Sequence, residues 1–352
     1  IYKIGVICKA GEVVFGETKT NQDNYFNYLL NDNIRFIGVC DGHGEFGHHV
    51  SKYLRINLPV EFENELKKFY RDEGRNINLF QKEMSSNADL NKNFNNENIN
   101  DNNCKNNSLI QTNNETNKNS IFEKVKNIFE KSFIRTDQNL SEFCNNLNSF
   151  NTEEENIFNV EYSGSTCVSI LLKENKINKI YIANVGDSRA IIIKETKSKF
   201  WTCHQLSRDH KPTEKDEAQR VLDYDGEIEK IEDDDGNWVG PLRVWVKGSD
   251  GPGLAMTRTF GDEIGASVGV VSNPEVFEYK ITAEDRAIII ASDGLWEYMN
   301  NKEVTDIVKK TISKEDPDYI VNELYKESVI RWRLKDQGID DITIICILLK
   351  SS

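Results

Sequence analysis

Apolar runs that meet carboxylates at their ends constrain this chain more than any other feature. Ile34-Arg35-Phe36-Ile37-Gly38-Val39-Cys40 leads straight into Asp41-Gly42-His43-Gly44, Ala287 to Ser292 leads into Asp293-Gly294, and Asp340-Asp341 opens a last apolar run that reaches Leu349. A buried strand that delivers an Asp is costly unless the charge is paired or binds a cation. One Asp-Gly alone is an ordinary turn dipeptide. Three strand-linked carboxylates, with Asp23 as a fourth, point instead to one shared cation site. An oxygen-only donor set selects Mg2+ or Mn2+, hard ions that retain water in their shells. Zinc is disfavoured, because neither Cys nor paired His recurs beside these acids.

Further β-like runs are Tyr2 to Cys8, Asn24 to Leu30, Thr166 to Leu172, Lys179 to Val185 and Ala190 to Lys194. Helical spacing of apolar residues spans His48 to Tyr70 (Val50, Leu54, Leu58, Phe62, Leu66, Phe69), where Pro59 is expected to break or kink the helix. The same spacing resumes at Phe122, Val125, Phe129 and Phe133, and a second helical block covers Lys302 to Lys335. Strands at the start, middle and end, with helices in two blocks, predict α+β layers and not a regular βαβ alternation. Between the first helical stretches, residues 87–119 hold fifteen Asn among 33 residues with almost no apolar periodicity. Such a stretch cannot bury enough surface to offset its ordering entropy, which predicts a disordered insertion between two helices able to pack side by side.

Composition then narrows the function. Lys plus Arg total 44 against 58 Asp plus Glu, a net charge of −14 without a dense basic block, so nucleic acid is not an expected partner. No apolar run approaches the roughly 18 residues that cross a bilayer, so no transmembrane segment is expected. Seven scattered cysteines (Cys8, Cys40, Cys104, Cys144, Cys167, Cys203, Cys346) with no CxxC pair read as free thiols in a reducing compartment, cytoplasmic or nuclear. The chain begins at Ile1, so lipidation at an upstream N-terminus stays compatible with it. Asp233-Asp234-Asp235-Gly236 fails as a calcium loop, because Ile231 would fill the first ligand position. A Walker pattern is absent from the sequence.

Seven ordered segments carry a family resemblance: Val39-Cys40-Asp41-Gly42-His43-Gly44, Ser163-Gly164-Ser165-Thr166, Asn184-Val185-Gly186-Asp187-Ser188-Arg189, Asp209-His210-Lys211-Pro212, Leu254 to Asp262 (with Thr257-Arg258-Thr259-Phe260-Gly261), Ala291-Ser292-Asp293-Gly294-Leu295-Trp296 and Asp340-Asp341-Ile342-Thr343. Together they resemble the motifs of the metal-dependent protein phosphatase 2C family, over nearly the whole chain except the Asn-rich insertion. The resemblance implies one catalytic domain over residues 1–352, an α+β sandwich of two antiparallel β-sheets flanked by α-helices, with residues 212–253 as a variable flap. It implies a pair of Mg2+ or Mn2+ ions that activate a water for in-line attack on phosphorus. Asp41 would bridge the ions, Asp293 and Asp340 would complete the first, and the Gly42 carbonyl would help hold the second.

By the same resemblance, His43 is the general acid that protonates the departing serine or threonine oxygen. Asp23 orients ion-associated water. Asp187, with Glu297, marks where some relatives hold a third, weaker cation. Arg258 contacts substrate phosphate or secures the nearby turn, and Trp238 and Trp245 either recognise polypeptide or anchor a core, with burial favoured for at least one of them. Two departures stand out. Gln22 occupies a position where many relatives have Glu, which weakens the expected hold on the second ion. Thr18, or Lys19 one residue on, replaces a phosphate-gripping Arg; Lys can act only as a point charge there. The expected activity is hydrolysis of phosphoserine and phosphothreonine in protein substrates by a monomer. The alternatives are a phosphoprotein-binding module without turnover and a hydrolase of a non-protein phosphoester.

Overall fold

The computed structural model describes residues 2–13, 19–30, 33–72, 74, 121–150, 158–174, 177–249, 251–335 and 338–349. The insertion expected at 87–119 and the candidate Thr18 lie outside the described residues. Among the described residues the strands are β1 (Tyr2–Lys9), β2 (Asp23–Leu30), β3 (Ile34–His43), β4 (Gly164–Ser165), β5 (Cys167–Lys173), β6 (Lys179–Val185), β7 (Arg189–Glu195), β8 (Trp201–Gln205), β9 (Gly226–Glu232), β10 (Trp238–Val246), β11 (Pro252–Leu254), β12 (Phe260–Gly261), β13 (Glu275–Lys280), β14 (Asp285–Ala291) and β15 (Ile342–Leu349). The helices are α1 (Gly47–Asp72), α2 (Ile121–Phe150), α3 (Lys215–Asp223), α4 (Glu263–Ala266), α5 (Asp293–Trp296), α6 (Asn301–Thr311) and α7 (Pro317–Lys335).

Two antiparallel sheets form the centre. One has the order β1-β15-β14-β7-β8; the other runs β12-β4-β3-β5-β6-β13, with β2 also paired to β3. Strand periodicity decides what each face touches. In β15, Ile345 and Ile347 face the opposite sheet, while Ile342, Ile344 and Cys346 face α6 and α7. In β3, Ile37 and Val39 enter the space between the sheets, and Ile34 and Phe36 pack beneath α1 and α2. The result is the expected helix–sheet–sheet–helix layering. Because these strands are covered on both faces, they read as continuous apolar runs in the sequence.

Helix α1 continues through Pro59 and is not broken there. An interior Pro costs about 3 kcal/mol. Leu54, Leu58, Phe62 and Leu66 are each fully buried, and at roughly 1.5–3 kcal/mol apiece they outweigh that cost. The two helices that flank the insertion pack side by side as expected, with Phe62 and Phe129 ring centroids 4.7 Å apart. The six described cysteines are free thiols.

Strand β3 runs three residues past its expected end at Cys40, because Gly42 and His43 pair with Ser165 and Gly164 of β4. Asp41 and His43 therefore sit on a hydrogen-bonded strand and not on a free turn. The region 212–253 supplies α3 and most of a three-stranded sheet of order β11-β10-β9, whose small core joins its Val221 and Val244 to Leu254, Val268 and Val270 beyond it. Neither flap tryptophan is buried. Trp238 is 57% exposed at the hairpin end, where no helix or loop covers it among the described residues. Trp245 is half-buried, with Nε1 donating to the Glu229 carbonyl at 3.1 Å.

Candidate active site

The predicted acids arrive at one edge of the sandwich from four strand ends. Antiparallel pairing of β2 with β3 sets Asp23 opposite Asp41. Strand β14 hands over to Ser292 and then to Asp293 at the start of α5. Ser292 binds the entering β15 through its amide, which donates to the Thr343 carbonyl at 3.1 Å, and its Oγ, which accepts from the Thr343 amide at 3.0 Å. The same Oγ donates to Asp23 Oδ2 at 2.8 Å. Asp341, next to Asp340, is buried and accepts from the Gly11 and Gln22 amides at 2.7 and 2.8 Å. One serine and one aspartate thus tie the first and last segments of the chain into the site.

The acids perturb one another strongly. Burial, then Asp293, Asp23, Asp340 and Asp187, push the Asp41 carboxyl well above the usual carboxylate range. Burial, then Asp340 and Asp187, do the same to Asp293, whose side chain meets that of Asp41. Asp23 is lifted to about 7, chiefly by burial. Asp187 is raised by burial, against the pull of the Lys211 ammonium 3.5 Å away. Asp23 Oδ1 and Asp187 Oδ1 are buried with no hydrogen-bond partner. Converging carboxylates with orphaned oxygens fit hard divalent cations, which would relieve both the repulsion and the unmet acceptors. Among the described residues, no three His, Cys, Asp or Glu side chains are drawn together closely enough to hold an ion without moving, so the carboxylates would have to close on one as it binds. Main-chain oxygen and water are left to complete any shell, as Mg2+ prefers.

Gly42 is held at close quarters: a Cβ there would lie 2.3 Å from the Gly47 carbonyl oxygen and 2.6 Å from that of Gln22. No side chain fits, so the main chain itself borders the acids. The Gln22 amide nitrogen donates to the Gly44 carbonyl at 2.7 Å. Lys19 Nζ lies 2.5 Å from Asp340 Oδ1 and 3.5 Å from Asp341 Oδ2. Burial works to lower the Lys19 pKa, but Asp340 and Asp341 raise it above its ordinary value. Lys19 is thus a point charge beside a predicted ion ligand.

His43 is the imidazole of the site. Its Nε2 lies 2.6 Å from Asp262 Oδ2, and its Nδ1 is buried without a partner. Burial alone would lower the His43 pKa, but Asp262, and more weakly Asp187, raise it. Asp262 had no role in the sequence reading, although it closes a recognised segment. Its partner lies 219 positions away, so only the repeated Gly/Asp juxtaposition could have drawn attention to it. Lys211 was likewise unassigned; Asp187, Asp209, Asp293 and Glu297 all raise its pKa against the effect of burial. Glu297 itself is exposed on the turn after α5.

The Arg258 guanidinium is engaged by protein groups on three of its nitrogens. Its Nε donates to Glu217 at 3.0 Å, its Nη2 donates to the same carboxylate at 2.5 Å, and its Nη1 donates to the Asn273 carbonyl at 2.9 Å. The guanidinium secures the nearby turn, the other expectation. Glu217, fully buried on α3, also accepts from Arg220 at 2.6 Å and from Thr257 Oγ1 at 2.7 Å. Burial pushes the Glu217 carboxyl up, but Arg220, Arg258 and Thr257 more than offset it and hold it well below the usual range. Glu217→Ala is expected to destabilise the fold by about 3–5 kcal/mol at pH 7, since it strands the half-buried guanidinium groups of Arg220 and Arg258. A depressed carboxyl stabilises fully above its unfolded pKa of about 4.3 and loses that contribution as pH falls through the folded value. Urea melts of both proteins from pH 7 to pH 3 should therefore show the gap shrinking only below about pH 4.

Three comparisons bear on this arrangement. A family model described as protein phosphatase 2C matches residues 80–332. A probable protein phosphatase 2C 73 of Arabidopsis thaliana is 30% identical over 342 residues, covering 96% of this chain and 78% of that protein. A probable protein phosphatase 2C 73 of Oryza sativa subsp. japonica is 31% identical over 319 residues, covering 90% and 66%. The solved serine-threonine phosphatase 2C from Toxoplasma gondii superposes with a TM-score of 0.67 at 18% identity, covering 99% of this chain and 95% of that one. A C. elegans sex determining protein follows at 0.62 and 18%, covering 99% and 65%. At those identities the two structures speak for the fold alone.

Proposed function

The chain belongs to the protein phosphatase 2C family, and from that premise we propose that it removes phosphate from phosphoserine and phosphothreonine in proteins, with two Mg2+ or Mn2+ ions and His43 as general acid. The observation that carries this reading is the convergence of Asp23, Asp41, Asp187 and Asp293, each raised by burial and each with another acid among its causes, beside a half-buried imidazole. Asp41 would be shared by both ions, Asp293 and Asp340 would hold one, and the Gly42 main chain would border the other. Bound there, the ions supply an activated water and neutralise charge on the phosphoryl group.

The chain's own residues do the rest. Asp23, at the first position of β2 with one free carboxylate oxygen, orients and accepts a proton from the attacking water. His43 donates its proton to the leaving serine or threonine oxygen as that oxygen takes the P–O bonding pair, and the ring ends neutral. Lys19, next to Asp340, offers a positive charge to the phosphate oxygens. Asp187, beside Lys211, would take a third, weaker cation.

The direct test is phosphate release from a phosphothreonine peptide. Release should require Mn2+ or Mg2+ and stop with EDTA; binding of the peptide without release would establish the non-catalytic module instead. Release confined to small phosphoesters would establish the third alternative. Gln22 supplies a further prediction. Its neutral amide is turned to the Gly44 carbonyl, and a carboxylate would be repelled from that oxygen and drawn to a cation. Gln22→Glu should lower the Mn2+ concentration for half-saturation about tenfold in calorimetric titration.

A further inference from the structure

We propose that Asp262 is the positioning residue of His43: a fully buried carboxylate that grips imidazole Nε2 at 2.6 Å and leaves Nδ1 as the nitrogen offered to the departing oxygen. The proposal rests on the reading of His43 as general acid.

The conformation of Asp262 argues for a dedicated role. It adopts φ 45°, ψ 55°, left-handed space that costs a residue with a side chain roughly 1–2 kcal/mol. The position directly precedes α4, where an Asp would ordinarily cap the helix with its side chain. No such bond is made. The carboxylate is turned away from the helix and onto the imidazole. Space for it exists only because residue 164 is glycine: a Cβ at Gly164 would lie 2.0 Å from Asp262 Oδ2.

The turn that carries Asp262 is fixed from several sides. Its amide donates to the Ser163 carbonyl at 3.0 Å. Gly261 pairs with Gly164 in the β4–β12 ladder, and the Gly261 amide donates to Asp137 Oδ1 on α2 at 2.8 Å. Both strands that meet here, β4 and β12, join the sheet that bears His43. A carboxylate held this firmly sets the ring's plane and tautomer, because Nε2 must carry the proton of the shared bond. The proton for the leaving group then comes from Nδ1.

The test uses Asp262→Gly, which suits the left-handed backbone, and Asp262→Asn, the next best tolerated there. His43→Ala and the double variant His43→Ala/Asp262→Gly complete the cycle. All are assayed at saturating Mn2+ on a phosphothreonine peptide and on p-nitrophenyl phosphate, whose leaving group needs no proton. Asp262→Gly should lower kcat on the peptide roughly 10- to 100-fold and change the aryl phosphate rate less than about threefold. In the His43→Ala background it should cost nothing further, since a group that acts only through His43 has nothing left to position. Equal losses on the two substrates, or an undiminished loss in that background, would overturn the proposal and leave His43 as general acid in place. If His43→Ala itself lost both activities equally, the general-acid reading and this proposal would fall together. Should the glycine variant not fold, the asparagine variant decides by the same comparisons, with smaller losses expected.

Discussion

Asp41→Asn is expected to lower phosphate release from a phosphothreonine peptide on the order of a thousandfold or more at saturating Mn2+, because several kcal/mol of charge stabilisation depends on the ions it would hold. The same change should not harm the metal-free fold. Asp41 is raised far above the carboxylate range by burial and by Asp293, Asp23, Asp340 and Asp187, so an amide at that position replaces a repelling group. In EDTA the variant should melt at or above wild type; with Mn2+ the order should invert, since only wild type gains the full stabilisation of bound ions. A variant that melts below wild type in EDTA and also loses activity would mean that the fold, not the site, had failed. Asp23 adds a pH signature. Its folded pKa of about 7 exceeds an unfolded value of about 3.9, so its contribution is present below about pH 4 and is lost as pH rises through 7. Metal-free wild type is accordingly expected to lose stability from pH 5 to pH 7.5, and Mn2+ to reverse that loss.

His43→Ala should cost about 10²- to 10⁴-fold on the phosphothreonine peptide. An alkoxide is a poor leaving group and needs a proton as the P–O bond breaks, whereas p-nitrophenolate does not. Rates on the aryl phosphate should therefore fall only slightly. The peptide loss should be largest for unactivated alkyl esters and should shrink steadily along a series of more acidic leaving groups. A loss independent of the leaving group would show that His43 shapes the site without transferring a proton.

Much of this site was visible in the sequence because its chemistry sits at the ends of strands. The apolar runs before Asp41 and Asp293 and after Asp340 are continuous, since both faces of those strands are covered, and their endpoints stood out for that reason. Contacts between distant segments were not visible. An Arg such as Arg258 satisfies a phosphate or a buried carboxylate equally well, and nothing in the local sequence around Glu217 announces that it is fully buried. Asp262 was hidden by the same distance problem. Pro59 misled because local helix energetics predict a break, while four buried side chains from the same helix decide otherwise. Trp238 misled in the opposite way: large aromatic residues are usually covered, and this one stands exposed at a hairpin end among the described residues.

The placement of β15 between β1 and β14 has a consequence for the order of events during synthesis. Tyr2 lies opposite Leu349 and Lys9 opposite Ile342, so β1 has no neighbour in its sheet, among the described residues, until β15 emerges. Asp340 arrives with β15. Every earlier nascent chain lacks both the closing hydrogen bonds and one of the acids, and such extreme sequence separation predicts slow closure. Competence for phosphate release should therefore switch on late and all at once, when translation passes β15.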